Sequence, residues 1–254
     1  MGKSKYLLII AYWLALFLLF MPLLKQGILS YKLTKVPVIT ETTMVEQPVS
    51  PIEAVQPPTF SEVLAFQGTK QPTAAQLFIP SMEFVINVFP SVTQESLLAG
   101  AGMMYAERNP ANGNFVLLGH HLGKQELLFG QLLSLAGNED IYLHYSGKSY
   151  NYKVADTQLI KETDFTVLEE TPQPRLTLIT CDKPTQTDQR FVVTADLQET
   201  TNQDQKSIDI QQNLIKTSRK RNASSAFLVI IGIFSLMIVG ALIILRQLRG
   251  EETK

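Results

Sequence analysis

Two uncharged apolar runs, one near each end, limit what this chain can become more than anything between them. "YLLIIAYWLALFLLFMPLL" (residues 6–24) holds 19 residues without a charge. As a helix rising about 1.5 Å per residue it reaches about 28 Å, close to the ~30 Å of a bilayer's hydrocarbon. "AFLVIIGIFSLMIVGALIIL" (residues 226–245) adds 20 more, flanked by "KTSRKR" and "RQLR". "KQGILSYK" follows the first run without a small-x-small cleavage site, which favours an uncleaved anchor over a signal peptide. Two spans put both termini on one side of a membrane and the stretch between them on the other. Lys3 and Lys5 precede the first run while Lys25, Lys32 and Lys35 follow it, so charge bias alone gives no orientation. The large loop is placed outside the cell on the chemistry argued below.

With 22 Lys and Arg against 23 Asp and Glu, the chain carries no basic stripe of the kind that binds nucleic acid. From residue 34 to about 72, prolines 37, 48, 51, 57, 58 and 72 punctuate Thr, Gln and Glu, a composition that cannot bury a core and reads as an extended spacer. Within it "FSEVLAF" has helical spacing and could dock on a folded unit. Beyond residue 75 the pattern changes to short β-branched and aromatic runs: "QLFIP", "FVINVFP", "NFVLLGH", "DIYLHYS", "KSYNYKVADTQLI", "RLTLIT" and "RFVVTADL". "YSGKS" between two of them predicts a hairpin turn. "TQESLLAGAG" and "KQELLFGQLLSLAG" predict helices, the first capped by Thr93 and the second ended by Gly137. Seven or eight short strands in about 120 residues predict an all-β, closed or nearly closed barrel with one or two helical insertions.

Cys181 in "LTLITCDKPTQTDQR" is the one cysteine of 254 residues, so no internal disulfide can form. A single thiol in an exported domain is either a small buried hydrophobe or a reactive group. A thiol nucleophile needs a base or cation nearby and a donor for the developing oxyanion. His120 and His121 end the apolar run "NFVLL", and Arg190 opens the strand that follows Cys181 across a polar loop. These residues form either a Cys/His/Arg site or three unrelated positions; His144, inside an alternating strand, reads as structural. A zinc site from three histidines and one cysteine lacks any recognised ligand spacing.

"TLITC" resembles the Thr-Leu-x-Thr-Cys signature of the sortases, membrane cysteine transpeptidases of Gram-positive bacteria. The strand-end Gly119-His120 followed by apolar "LLFGQLLSL", the Arg beyond the Cys and the opening "QLFIPSMEFVINVFP" resemble other family marks in the same order, over residues 76–197. The resemblance implies an eight-stranded sortase-type β-barrel with one or two short helices. It implies Cys181 as nucleophile, His120 as acid/base partner and Arg190 as oxyanion and substrate donor, with Thr180 and Leu118 lining the substrate pocket and His121 a bystander. The implied partners are the membrane, surface proteins bearing an LPXTG-type signal cleaved between Thr and Gly, and an acceptor amine of a peptidoglycan precursor. A pilin lysine is the alternative acceptor, because a C-terminal span is commoner among pilin-polymerising members, although the core resembles class A and the Asp-Pro-aromatic lid motif of the polymerases is absent from this sequence. No cofactor is implied beyond calcium in some class A enzymes, for which Glu107, Glu162 and Asp164 are the candidates.

The organisation expected is therefore a cytoplasmic 1–5, an anchor 6–24, an extracytoplasmic spacer 25–74 and a catalytic barrel 75–200. A juxtamembrane linker 201–225, a second span 226–245 and a cytoplasmic tail 246–254 follow. Two other readings stay open. A hydrolytic cysteine peptidase would usually place Cys before His and near a helix N-terminus, the reverse of this order. A membrane-tethered binding barrel would leave Cys181 in the core.

Overall fold

The computed structural model describes residues 3–33, 56–69, 71–122, 127–202 and 231–244, with a few isolated positions after 202. Eight strands close a barrel in the order β1-β2-β3-β4-β7-β8-β6-β5. They are β1 (Ala75–Ile79), β2 (Phe84–Phe89), β3 (Ala101–Met103), β4 (Asn114–Gly119), β5 (Asp140–Tyr145), β6 (Lys148–Lys161), β7 (Arg175–Cys181) and β8 (Gln189–Asn202). Most neighbours are antiparallel, but β2 pairs with β3 and β4 with β7 in parallel. The expected eight-stranded barrel is present.

Several strands read as unbroken apolar runs because both of their faces are covered. In β4, Phe115 and Leu117 join the main core while Val116 and Leu118 belong to a second cluster on the opposite face. Tyr152 is fully buried in the main core, and its hydroxyl donates to the Pro110 carbonyl at 2.7 Å. The β5–β6 hairpin turns through Ser146 and Gly147, both at positive φ, as "YSGKS" predicts.

The helices follow their caps. α1 spans Lys3–Leu33, and α2 (Phe60–Ala65) starts with a Thr59/Glu62 capping box. α3 (Gln94–Ala99) starts with Thr93, its hydroxyl accepting from the Ser96 N–H at 3.1 Å. Residues 124–126 of the predicted second helix lie outside the described residues, and the remainder forms a 3-10 turn, Phe129–Ser134. Leu127, Leu128, Phe129, Leu132 and Leu135 are all buried, so the segment is held on several sides and not by one helical stripe. β3 is the strand the pattern did not separate from α3: Gly102 lies so close to the Ser91 carbonyl that an added Cβ would sit 2.6 Å from its oxygen.

α1 does not stop at residue 24, where the apolar run ends, but continues through Leu29, which is buried in the main core. Lys32 donates to the carbonyls of Val63, Leu64 and Phe66 at 3.0, 2.5 and 2.6 Å, closing the C-terminal end of α2. Val63 and Phe66 pack α2 onto the barrel, so this part of the expected spacer is ordered. A cavity of about 440 Å³ lies between Met21, Lys25 and Leu29 of α1, Phe60 of α2, and Leu122 and Pro184 of the barrel. Residues 9–32 are long and apolar enough to cross a membrane; the described part of the second run is a shorter apolar helix, Ile231–Ile244.

His144 supports a stability prediction. It lies on the outer face of β5, stacked 4.9 Å from Phe78, and among the described residues neither ring nitrogen has a partner. Burial lowers its pKa to about 4. A histidine that charges near 6.5 when unfolded and near 4 when folded contributes stability above pH 6.5 that is lost as pH falls towards 4. His144→Phe keeps the stack and removes the unmade hydrogen bonds. Thermal melts at pH 7 should show about 1 kcal/mol of gain, and the loss between pH 6.5 and 4 should shrink by about 2 kcal/mol.

Candidate active site

One end of the barrel collects three strand termini. β4 and β7 run in parallel with Leu118 opposite Ile179, so extending the register by two residues sets His120 level with Cys181, about 4.8 Å away in backbone spacing. On the other side of β7, Cys181 pairs directly with Arg190 of β8, and Arg190 pairs with Ile160 of β6. Residues paired across a ladder share a face. Cys181 and Arg190 therefore stand on the same outer face as Leu118, Ile179, Val192 and Ile160, whose side chains form the second apolar cluster.

That cluster is an apolar floor leading to the thiol. One wall is the β6–β7 loop, whose Val167 and Leu168 pack on it. Asn114 holds the loop by donating from Nδ2 to the carbonyls of Val167 and Glu169, at 2.8 and 2.9 Å. Arg108 adds a bond to the Leu168 carbonyl at 3.0 Å and an ion pair with Glu170 at 2.7 Å. Val116, Ile179 and Val192 are buried beneath the side chains packed on them, so the cluster forms a packed apolar patch beside the thiol.

Cys181 is 7% exposed. Burial raises its thiol pKa; the Arg190 charge opposes this, while Asp182 and Glu162 reinforce it. His120 is 2% exposed and its Nε2 lies 3.3 Å from Gln94 Oε1 of α3. Burial, reinforced by Lys25 and opposed by Glu62, lowers its pKa to about 4. Both shifts favour the neutral forms of the thiol and the imidazole at neutral pH.

Local structure fixes His120 from behind. The Phe129 N–H donates to the His120 carbonyl at 3.0 Å, and the Phe129 ring crosses directly over Gly119. A Cβ at Gly119 would meet the Phe129 Cγ at 2.5 Å, and Phe129 is fully buried and cannot yield. Gly119→Ala should therefore cost about 1–3 kcal/mol by overpacking. It should also lower turnover at least tenfold by displacing His120, read from melting and steady-state rates side by side.

His121 departs from its bystander reading. It is buried, and its Nδ1–H donates to the Cys181 carbonyl at 3.0 Å, tying the residue after His120 to the backbone of Cys181. Its adjacency to Gly119-His120 was the available signal, but the bond spans two strands and appears only once they pair. Arg190 Nη1 donates to the carbonyls of Thr187 and Gln189 at 2.9 and 3.0 Å, and Nη2 to Glu162 Oε2 at 2.6 Å. Leu118 packs on the second apolar cluster. Thr180 does not reach it: strand alternation turns its side chain away from the Cys181 face, and its buried hydroxyl has no partner among the described residues.

Among the described residues, no three His, Cys, Asp or Glu side chains cluster to hold a metal. Of the calcium candidates, Glu162 is bound to Arg190, Asp164 accepts from the Thr166 hydroxyl at 2.6 Å, and Glu107 is exposed.

The chain can now be set beside known proteins. A family model described as the sortase domain matches residues 77–198. Sortase A of Listeria monocytogenes serovar 1/2a is 32% identical over 211 residues, spanning 78% of this chain and 92% of that protein. Sortase A of Bacillus anthracis is 30% identical over 143 residues, 56% of this chain and 68% of that protein. The solved structure of Listeria monocytogenes sortase A matches with a TM-score of 0.52 and 35% identity, covering 53% of this chain and 93% of its own. Identity of this extent along nearly the whole of one relative, on the same closed barrel, decides the affiliation: the chain belongs to the sortase family.

Proposed function

We propose that this chain is a membrane-anchored cysteine transpeptidase that joins surface proteins to a cell-wall precursor, with Cys181, His120 and Arg190 as its catalytic residues. The observation carrying this reading is the convergence of the three at one barrel end: Cys181 and Arg190 as register partners, and His120 level with Cys181 on the parallel neighbour. The thiol passes its proton to His120, and Sγ attacks the Thr carbonyl of an LPXTG-type signal. Arg190 donates to the oxyanion. As the Thr–Gly C–N bond breaks, the leaving amine takes the proton from His120, and a thioester remains. An incoming amine then attacks the thioester, His120 takes up its surplus proton, and Sγ leaves to recover it.

The apolar floor of Leu118, Ile179 and Val192 supports recognition of the Leu-Pro part of such a signal. The sortase A relatives favour a wall-precursor amine as acceptor. The apolar α1 supports a membrane anchor, and with the second apolar run it supports a two-pass chain whose barrel lies outside the cell.

The test is transfer by the full chain in detergent micelles from a quenched LPXTG peptide, with glycine-type and branched-stem amines beside a pilin-type lysine peptide. Transfer to a wall-type amine is expected. Transfer to the lysine peptide alone would overturn the anchoring role in favour of pilin polymerisation, and hydrolysis without transfer would overturn both.

A further inference from the structure

The shortest bond made by Arg190 is to a carboxylate, not to the thiol beside it. Its Nη2 donates to Glu162 Oε2 at 2.6 Å, and both hydrogens of Nη1 are taken by the carbonyls of Thr187 and Gln189. Arg190 is flanked by Cys181 on β7 and by Ile160 on β6. Glu162 lies two residues beyond Ile160, hence diagonally across from Arg190 and on the same outer face. Its backbone is fixed as well, the Glu162 N–H donating to the Asp188 carbonyl at 2.7 Å. The guanidinium is held by three acceptors, and among the described residues its Nε–H and second Nη2–H have no partner. The Arg190 side chain is 18% exposed and that of Glu162 48%, so the bond is shielded from solvent on the arginine side only.

We infer that Glu162 is a positioning residue for acyl transfer, orienting the Arg190 guanidinium so that its free N–H groups meet the carbonyl oxygen attacked by Cys181. The inference rests on the reading of Cys181 as nucleophile and Arg190 as oxyanion donor. Glu162 touches no reacting atom; it acts through Arg190. An arginine on a flexible stem loses rotamer freedom when it binds an oxyanion, and Glu162 imposes that order beforehand. The same carboxylate offsets the Arg190 charge beside the resting thiol, so Glu162 also restrains thiolate formation until substrate competes for the guanidinium. Its position at the start of the β6–β7 loop, which also walls the groove, connects the seating of a peptide to the aim of Arg190.

The experiment pairs steady-state transfer with alkylation of Cys181 by iodoacetamide across pH, both on the full chain in micelles. Glu162→Ala should lower kcat at least tenfold with KM within twofold, while Glu162→Gln, which keeps an acceptor, should stay within threefold of the parent. Arg190→Gln and the double variant Arg190→Gln/Glu162→Ala should match each other within twofold, because the carboxylate has no cation left to aim. The alkylation midpoint should move to lower pH in Glu162→Gln and to higher pH in Arg190→Gln. An unchanged kcat in Glu162→Ala, additive losses in the double variant, or an unmoved midpoint in Glu162→Gln would each overturn the inference. Should Glu162→Ala fail to fold, Glu162→Gln and its alkylation curve decide alone. A parent enzyme that alkylates normally but transfers no peptide would count against the proposed function, whereas the midpoints would still judge the coupling.

Discussion

Cys181→Ala should reduce transfer to the uncatalysed background, a loss of about 10⁴-fold or more. The sequence has no second thiol to substitute for it, and alanine cannot form the covalent intermediate. Removing one sulfur from the end of β7 costs about 1 kcal/mol of packing, so the variant should melt within a few degrees of the parent. Intact-mass measurement should detect an acyl-enzyme in the parent and none in the variant. Residual Cys-independent turnover above background would remove Cys181 from the mechanism altogether.

His120→Ala should follow with a loss of about 10²–10⁴-fold, the range expected for a positioned acid/base group. Its pH dependence is the sharper test. The resting imidazole titrates at about 4, and the resting thiol above its ordinary 9.0. The reactive thiolate–imidazolium pair is then a minor form of one protonation state, and its share stays constant between the two values. The parent's kcat/KM should accordingly be nearly flat from about pH 5 to 9. It should fall on the acid side as His120 charges before the thiol has given up its proton, and on the alkaline side as the thiol ionises without a protonated partner. A rising limb near pH 6.5 would show a solvated, ordinary histidine and contradict the buried His120 described above. His120→Ala should lose the acid limb along with most of the rate.

The barrel was legible because its strands are short β-branched and aromatic runs and the turns between them carry recognisable residues. Ser146-Gly147 and the Thr93 cap were both readable on that basis. Cys181, His120 and Arg190 could likewise be placed at strand termini, where a parallel or antiparallel register brings ends together. What stayed hidden depends on pairings distant in sequence. The short β3 hides in a glycine-rich stretch because its identity comes from lying against β2, not from side chains of its own. The hydrogen bond of His121 to Cys181 and the hold of Glu162 on Arg190 join positions 60 and 28 residues apart. Thr180 shows the converse: adjacency to the nucleophile implied a place in the groove, and the alternation of the strand turned it the other way.

The uninterrupted passage of α1 from its apolar span into the buried Leu29, with Lys32 gripping α2, makes the tether a strut rather than a leash. A leash lets an enzyme sweep a volume that grows with its contour length; a strut fixes an altitude. Leu122 and Pro184, neighbours of His120 and Cys181, border the same cavity as Met21 and Lys25 of α1, so with α1 as the proposed anchor this end of the barrel is the one next to the bilayer. Substrates must come to that altitude. On that anchoring, a substrate confined to the membrane plane would meet the thiol by lateral diffusion in two dimensions, while one free in solution would have to descend to it.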